Sequence, residues 1–371
     1  MKRITHIIDE MKLGGAQTHL ITMLIQLQRQ YTYQHTVVGL FGDGPIVERL
    51  RDIGIEVIVL DIRDDLTHRR FDRAVNTIRK VLIDLQPDLV EAHLTWSRLL
   101  GLLAARLAGI EKRFGFEHGD IYMNSLKFRV ANYLSQLYIS DFIVVSDALR
   151  QWVHETHHIQ NRKMRILHNC VDTAKFNPDV APAEDVMALK SPDATLFAMV
   201  GTLGSGVNKR VDIGIQATAY ATEQGENVHL VIAGDGDQRD SLEQMARDLN
   251  IADHVHFLGM RSDIPNILVA CDVFCHAAPF EPFGLVVIEA MATCLPIIVP
   301  DSGGIQEVVE PNITGLVYPA LKADKLGQAM IQLSQNQQQR EEIGKHAYQV
   351  VQDRFSVEQY IKQLYSLYGL I

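Results

Sequence analysis

The stretch Glu281-Pro282-Phe283-Gly284-Leu285-Val286-Val287-Ile288-Glu289 sets two carboxylates across a loop-to-helix junction. The preceding Asp272–His276 reads as a buried strand, and Gly284–Ala292 reads as an apolar helix. A loop bearing Glu281 thus runs into a helix N-terminus that has no side chain at Gly284. Such an end offers unpaired N–H groups and a positive dipole end, which suit a phosphate. Glu289 lies one turn beyond Leu285, on the same helix face and roughly 6 Å along the axis. Carboxylates accept hydrogen bonds from sugar hydroxyls. The spacing fits a nucleotide-sugar: Glu281 at the hexose, phosphate at the backbone amides, Glu289 at the ribose. A helix with a surface Glu at each end has the same spacing, so the flanking sequence must decide.

Outward from this stretch, apolar strands alternate with amphipathic helices over the whole chain. That pattern implies α/β architecture with parallel sheets. In the first half, strands are expected at Ile4–Ile8, His35–Phe41, Glu56–Leu60, Leu89–His93, Arg113–Glu117, Phe142–Ser146 and Met164–His168. Helices are expected at Gln17–Arg29, Phe71–Leu85, Arg98–Ala108 and Leu126–Leu137. A second series runs through Leu196–Val200, His229–Ala233, Val255–Leu258, Pro296–Val299 and Gly315–Tyr318. The segment Asn177–Asp193 carries Pro178, Pro182 and Pro192 and reads as a linker. Two Rossmann-like domains joined there would form a cleft at the carboxyl ends of their strands.

The 371 residues suffice for two domains of ordinary size. With 47% hydrophobic and 22% charged residues, the composition is that of a soluble globular chain. No apolar run approaches the roughly 18 residues that span a bilayer. Acidic residues follow the first strand too soon for a signal peptide. Cys170, Cys271, Cys275 and Cys294 form no C-x-x-C pair, so reduced core thiols and a cytoplasmic location are expected. Net charge is −10, with residues 1–172 at +2 and residues 173–371 at −12. Arg69, Arg70, Arg73, Arg79, Lys80, Lys112, Arg113, Lys127 and Arg129 could present a basic surface to an anionic acceptor or membrane face. Solvated helix faces of mixed charge would account for them equally well. A pI near 5.8 without an aromatic–basic motif argues against nucleic acid.

Several motifs resemble those of retaining glycosyltransferase family 4, which has the GT-B fold. Glu281 and Glu289 match the family's E-x7-E signature. Gly14-Gly15 after the first strand matches its glycine loop, with Gln17 where Glu is common. Phe114-Gly115-Phe116-Glu117-His118-Gly119 matches a strand-end His-Gly. Val144-Val145-Ser146 with Ile166-Leu167-His168-Asn169-Cys170-Val171-Asp172 is similar to "VVS…IPNGVD", Cys170 replacing Gly. Val200-Gly201-Thr202-Leu203 with Lys209-Arg210 is similar to "VGRL…KG", Thr202 replacing Arg and Arg210 replacing Gly. Gly234-Asp235-Gly236, Phe257-Leu258-Gly259-Met260-Arg261, Asp301–Glu307 and Gly315-Leu316-Val317 extend the match over nearly the whole chain.

The resemblance implies transfer of a hexose from a nucleotide-sugar, a UDP-sugar favoured over GDP-mannose, with retention. The acceptor would be a hydroxyl of a glycan, lipid-linked or small molecule. Front-face attack with no metal and no resident cofactor is implied. His118, Glu281 and Lys209 become the catalytic candidates. Gly14, Gly15, Thr202, Arg210, Met260, Arg261, Phe283, Gly284, Leu285 and Glu289 would bind donor, and His93 is an acceptor-site candidate. An acceptor domain over 1–175, a donor domain over 176–352 and a last helix over 353–371 returning to the first domain are expected. Peripheral contact with an anionic membrane through the first domain is a further expectation. A GT-B sugar-nucleotide 2-epimerase or a non-catalytic nucleotide-sugar-binding protein would share much of this pattern. A retaining glycosidase would need its carboxylates about 5 Å apart, flanking no phosphate site. His154-Glu155-Thr156-His157-His158 satisfies H-E-x-x-H, but no third zinc ligand follows at a recognised spacing.

Overall fold

A computed structural model describes residues 2–12, 15–30, 33–119, 125–204 and 209–370. The chain divides into two compact units, Met1–Asn169 with Tyr360–Ile371, and Cys170–Gln359. These divisions fall at 169/170 and 359/360, not at the expected 175/176 and 352/353.

The first unit carries a seven-stranded sheet. Its strands are β1 (Arg3–Ile8), β2 (Gln34–Gly39), β3 (Glu56–Val59), β4 (Leu89–His93), β5 (Lys112–Glu117), β6 (Asp141–Val144) and β7 (Met164–Ile166). All pairs are parallel, in the order β3-β2-β1-β4-β5-β6-β7. Strand polarity follows from apolar runs covered on both faces: five of six β1 residues are buried, and all of β4. The end of the last helix, Val357–Tyr368, belongs to this unit and buries Tyr360, Ile361, Leu364, Tyr365 and Tyr368. Lys112 donates to the carbonyl of Tyr368, and the Phe114 ring lies 4.6 Å from that of Tyr368.

The helix expected over Arg98–Ala108 begins as a wide π turn, Ser97–Gly101, and becomes α-helical at Leu102–Leu107. Arg98 explains part of that departure. Its side chain is buried, pairs with Glu117 at 2.6 Å and donates to Asn132 Oδ1. Gly115 makes room for it, since a Cβ there would meet Arg98 Cγ and Cδ at 3.0 Å.

Several residues of the expected basic surface are used internally. Arg113 donates to the carbonyls of Tyr138 and Ile110, Arg129 to that of Thr156, and Arg79 to that of Leu107. Arg70 pairs with Asp64 and Asp65. Lys127 remains exposed.

The second unit carries a six-stranded parallel sheet, β10-β9-β8-β11-β12-β13. Its strands are β8 (Thr195–Val200), β9 (Val228–Ala233), β10 (Val255–Gly259), β11 (Val273–Cys275), β12 (Ile297–Pro300) and β13 (Gly315–Tyr318). The order reverses between β8 and β11, and ligands favour such switch points at strand carboxyl ends. The proline-bearing segment is not a free linker. Its residues Glu184–Met187 form a helical turn, Ala183 N–H donates to Asn266, and Lys190 pairs with Asp272 at 2.7 Å. Cys170 is buried and has no left-handed backbone, so replacing the family's glycine needs no strained conformation.

Candidate functional site

The second unit's switch point brings Lys209 and Glu281 together. Lys209 follows β8 and Glu281 follows β11, and Lys209 Nζ stands 2.7 Å from Glu281 Oε2. Gly201 permits this, because a Cβ there would meet the Lys209 stem at 3.2 Å. Glu281 is held at its backbone as well. Gly304 N–H donates to its carbonyl at 2.8 Å. Gly303, at φ +68°, passes so close that a Cβ would lie 2.5 Å from that same oxygen. His276, buried at the end of β11, places Nε2 3.4 Å from Glu281 Oε2. Burial alone would raise the Glu281 carboxyl, but His276 and Lys209 bring it down to about 2. The site thus holds a fixed carboxylate with a cation on it.

Gly284 caps the helix Leu285–Ala292 at φ +94°. A Cβ there would meet Val287 Cγ2 at 3.1 Å and Ile305 Cγ1 at 3.2 Å, so only glycine combines that turn with that packing. Val287 and Ile288 N–H donate to the Gly284 carbonyl, which leaves the N–H groups of Leu285 and Val286 as those a helix start offers to an anion. Glu289 lies one turn along and is partly exposed, with its carboxyl pushed up to about 7 by burial against a smaller opposing effect of Lys175. Phe283 differs from expectation: it is buried and packs edge-on against Phe355 at 5.7 Å, so its side chain belongs to the core.

The remaining donor candidates are arranged unequally. Arg210 sits at φ +50°, the conformation that suits the family's glycine, and its guanidinium grips both oxygens of Asp212. Lys209 is therefore the cation directed at Glu281. Thr202 is exposed. Met260 is 78% exposed, and Arg261 is held by Asp185 and Asp263, which leaves its backbone rather than its side chain for a ligand. Gly15 opens the helix Gly15–Gln30, while Gly14 lies outside the described residues.

In the first unit His118 stands just past β5. Glu117 fixes the turn, accepting from Gly119 N–H at 3.0 Å while pairing with Arg98. His93 is not an acceptor contact: it is 1% exposed and meets His118, Nδ1 to Nε2, at 3.2 Å. Burial first, then His93, His19 and Arg98, depress the His118 imidazole well below its ordinary value. It is neutral near pH 7 and carries one lone pair and one N–H rather than a charge.

Sequence reading missed the polar layer behind His118. His6, Glu91 and His93 occupy alternate positions on one face of β1 and β4, with His6 registered opposite Glu91. Polar side chains at period two inside otherwise apolar strands were the available signal. Among the described residues these three form the one cluster with metal-ligand chemistry. Their donor atoms already serve each other: Glu91 Oε2 lies 3.0 Å from His6 Nδ1 and 3.3 Å from His93 Nε2. In the H-E-x-x-H segment, His158 caps the helix at φ +54° and His154 bonds the Ile159 carbonyl, so the two rings do not share a helical face.

Two doubly wound parallel-sheet units, one with a cation–carboxylate pair at its switch point, define a glycosyltransferase of GT-B fold. Residues 13–175 match the model for Glycosyltransferase Family 4 and residues 184–350 that for Glycosyl transferases group 1. The chain belongs to the family 4 glycosyltransferases. It is 26% identical over 303 residues to a UDP-Gal:alpha-D-GlcNAc-diphosphoundecaprenol alpha-1,3-galactosyltransferase of Escherichia coli, covering 78% of each chain. It is 27% identical over 260 residues to an uncharacterized glycosyltransferase of Methanocaldococcus jannaschii, covering 68% of this chain and 66% of that one. Anabaena HepE in complex with UDP superposes over 100% of both chains with a TM-score of 0.86 at 23% identity.

Proposed function

We propose that the protein transfers a hexose from a nucleotide-sugar, a UDP-sugar in preference to GDP-mannose, to an acceptor hydroxyl with retention of anomeric configuration. The observation that carries this reading is the Lys209–Glu281 pair, 2.7 Å apart at the second unit's switch point, on the loop that leads into the Gly284-capped helix. The helix N-terminus and Lys209 suit the departing diphosphate, on which negative charge grows as the glycosidic bond breaks. Glu281, ionised and fixed at its backbone, suits the sugar hydroxyls. Glu289 suits the ribose hydroxyls. His118 is assigned to a hydroxyl of the transferred sugar. In the proposed step the acceptor oxygen bonds to the anomeric carbon on the face from which the diphosphate leaves. The anomeric carbon–oxygen bond breaks, and the leaving phosphate oxygen takes the acceptor's proton. The step uses no metal and no resident cofactor. Structures of Anabaena HepE with UDP and with UDP-glucose support the uridine choice.

A lipid-linked acceptor at an anionic membrane surface is supported by the helix Leu126–Ser135. It turns Asn132 and Ser135 inward, and its outward stripe comprises Leu126, Val130, Tyr133 and Leu134, continued by Leu137. Leu126 and Leu137 are 74% and 73% exposed. Lys127 flanks the stripe on one side as an exposed cation, while Arg129 on the other is held at the Thr156 carbonyl; an apolar stripe with a basic edge suits a lipid interface. The E. coli relative is named for a diphosphoundecaprenol acceptor. Purified protein incubated with labelled UDP-, GDP- and ADP-sugars, with and without lipid-linked acceptor, tests the reading. Acceptor-dependent release of UDP is expected. Release of nucleotide with free epimerised sugar, or none with any donor, would overturn it.

A further inference from the structure

We propose that His93 and Glu91 are positioning residues that hold His118 as its Nε2-protonated tautomer, so that His118 offers an unprotonated Nδ1 to a sugar hydroxyl. The inference deepens the assignment of His118 to the transferred sugar and rests on it. It is carried by a line of polar side chains across one face of the first sheet: His35 on β2, His6 on β1, Glu91 and His93 on β4, and His118 after β5.

Proton positions along that line follow from one ionised group. Burial would raise the Glu91 carboxyl, but His6 and His93 hold it well below its usual range. An ionised carboxylate only accepts. His6 therefore turns Nδ1–H toward Oε2 across 3.0 Å, and in its neutral form its Nε2 accepts from His35 Nδ1–H across 2.9 Å. His35 Nε2, which is buried with no partner, is then an unmet acceptor. The opposite assignment would bury an unmet N–H, the rarer defect.

The same rule runs the other way. His93 Nε2 faces Glu91 Oε2 at 3.3 Å, oblique to a well-aligned hydrogen bond but close enough that a lone pair there would oppose the carboxylate. Nε2 of His93 thus carries the proton. Burial lowers the His93 imidazole, so the ring is neutral and its Nδ1 is an acceptor. The neighbour 3.2 Å away is His118 Nε2, which must donate. Only Nδ1 of His118 is left for substrate, and it can accept an O–H but cannot donate. A binding-only ring would need no such alignment. A metal held by His6, Glu91 and His93 would require their facing nitrogens deprotonated. His6 Nε2–H would then donate to His35, leaving His35 Nε2–H buried and unmet.

Long-range nitrogen–proton NMR of protein labelled with 15N-histidine reads the tautomer directly, with His118→Gln assigning the signal. The expected spectrum has His118 protonated at Nε2 and unprotonated at Nδ1 at neutral pH, and Glu91→Gln shifts it toward a mixture of tautomers. His118 protonated at Nδ1 in the wild type, or unchanged by Glu91→Gln, overturns the proposal. A kinetic arm uses His93, with folding checked by thermal melting. His93→Leu should lower kcat by roughly tenfold, the scale of one hydrogen bond, with KM little changed. His93→Gln should recover most of it, because its amide can donate to Glu91 and accept from His118. Equal loss in both variants overturns the relay. Normal turnover in His118→Ala would instead overturn the assignment of His118 to the sugar, while the NMR result would stand on its own.

Discussion

Lys209 and Glu281, seventy-two positions apart in sequence, form an ion pair of 2.7 Å across the carboxyl ends of β8 and β11. The pair joins the cation assigned to the diphosphate and the carboxylate assigned to the sugar. On the proposed assignment a diphosphate draws Lys209 from Glu281, and the freed carboxylate accepts from hydroxyls. Ligand and pair thus compete for the same groups, which keeps both charges satisfied before binding.

Lys209→Met should lower turnover at saturating donor by about two orders of magnitude, roughly 3 kcal/mol for a preorganised charge at a leaving group. Methionine keeps the stem over Gly201 and removes only the charge. Arg210→Ala should do far less, because Arg210 already has both oxygens of Asp212. Turnover measured for both variants decides. A larger loss in Arg210→Ala would transfer the diphosphate role to that residue.

The sheets were legible because β8 and β9 are short, mostly apolar runs separated by turn signals. The Glu281 loop and the Gly284 cap were legible because glycine and a carboxylate at a helix start carry their chemistry locally. The Lys209–Glu281 contact was not, since switch-point adjacency depends on strand order. His93 was misplaced for a related reason: a strand-end histidine looks the same in sequence whether it faces solvent or another ring. Phe283 sits within the decisive motif, yet its ring fills the core, and nothing in the spacing distinguishes the two uses. The Asn177–Asp193 segment has a linker's prolines, but its contacts with Asn266 and Asp272 are long-range and invisible locally.

Gly303→Ala should impair activity without touching substrate. The added Cβ would lie 2.5 Å from the Glu281 carbonyl, at a backbone φ of +68° that alanine resists. The loop must shift, and Glu281 with it. A tenfold or greater fall in turnover, with a melting temperature lower by a few degrees, is the expected pattern for roughly 1–2 kcal/mol of strain. Stability loss with full turnover would mean that the Glu281 backbone position does not matter to the chemistry.

Glu289 should make nucleotide binding pH-dependent. Its carboxyl is raised from 4.5 to about 7, and only the ionised form accepts from two ribose hydroxyls. Affinity for UDP should therefore rise about tenfold from pH 6 to pH 8, beyond what phosphate ionisation contributes. Glu289→Gln should flatten that extra slope, and calorimetry on both proteins separates it. The stability sign is opposite. In the native state the carboxyl stays neutral up to about pH 7, while the unfolded group ionises near 4.5. Its contribution is full below pH 4.5 and is lost as pH rises to about 7. Glu289→Gln should accordingly melt higher than wild type at pH 8 and alike at pH 4. Parallel affinity curves in the two proteins would contradict the ribose assignment.

The outward stripe of the helix Leu126–Ser135 gives the membrane reading its own test. Lipid interfaces reward apolar area first and basic flanks second, so the two should separate by salt and by substitution. Wild-type protein should float with vesicles containing anionic lipid and float less with neutral ones. Leu126→Asp with Leu134→Asp should abolish flotation in both, since a charge on the stripe cannot enter the interface. Lys127→Gln should reduce recovery only with anionic vesicles, and high salt should remove that difference. Turnover with a water-soluble acceptor should be unchanged in every variant, because these side chains lie exposed on the helix surface and none is assigned to donor or to the reacting sugar. Flotation that is equal on neutral and anionic vesicles, and untouched by the aspartates, would remove the lipid surface from the proposal. Loss of a dimer in the aspartate variants, without any change in flotation, would assign the stripe to a second copy of the chain.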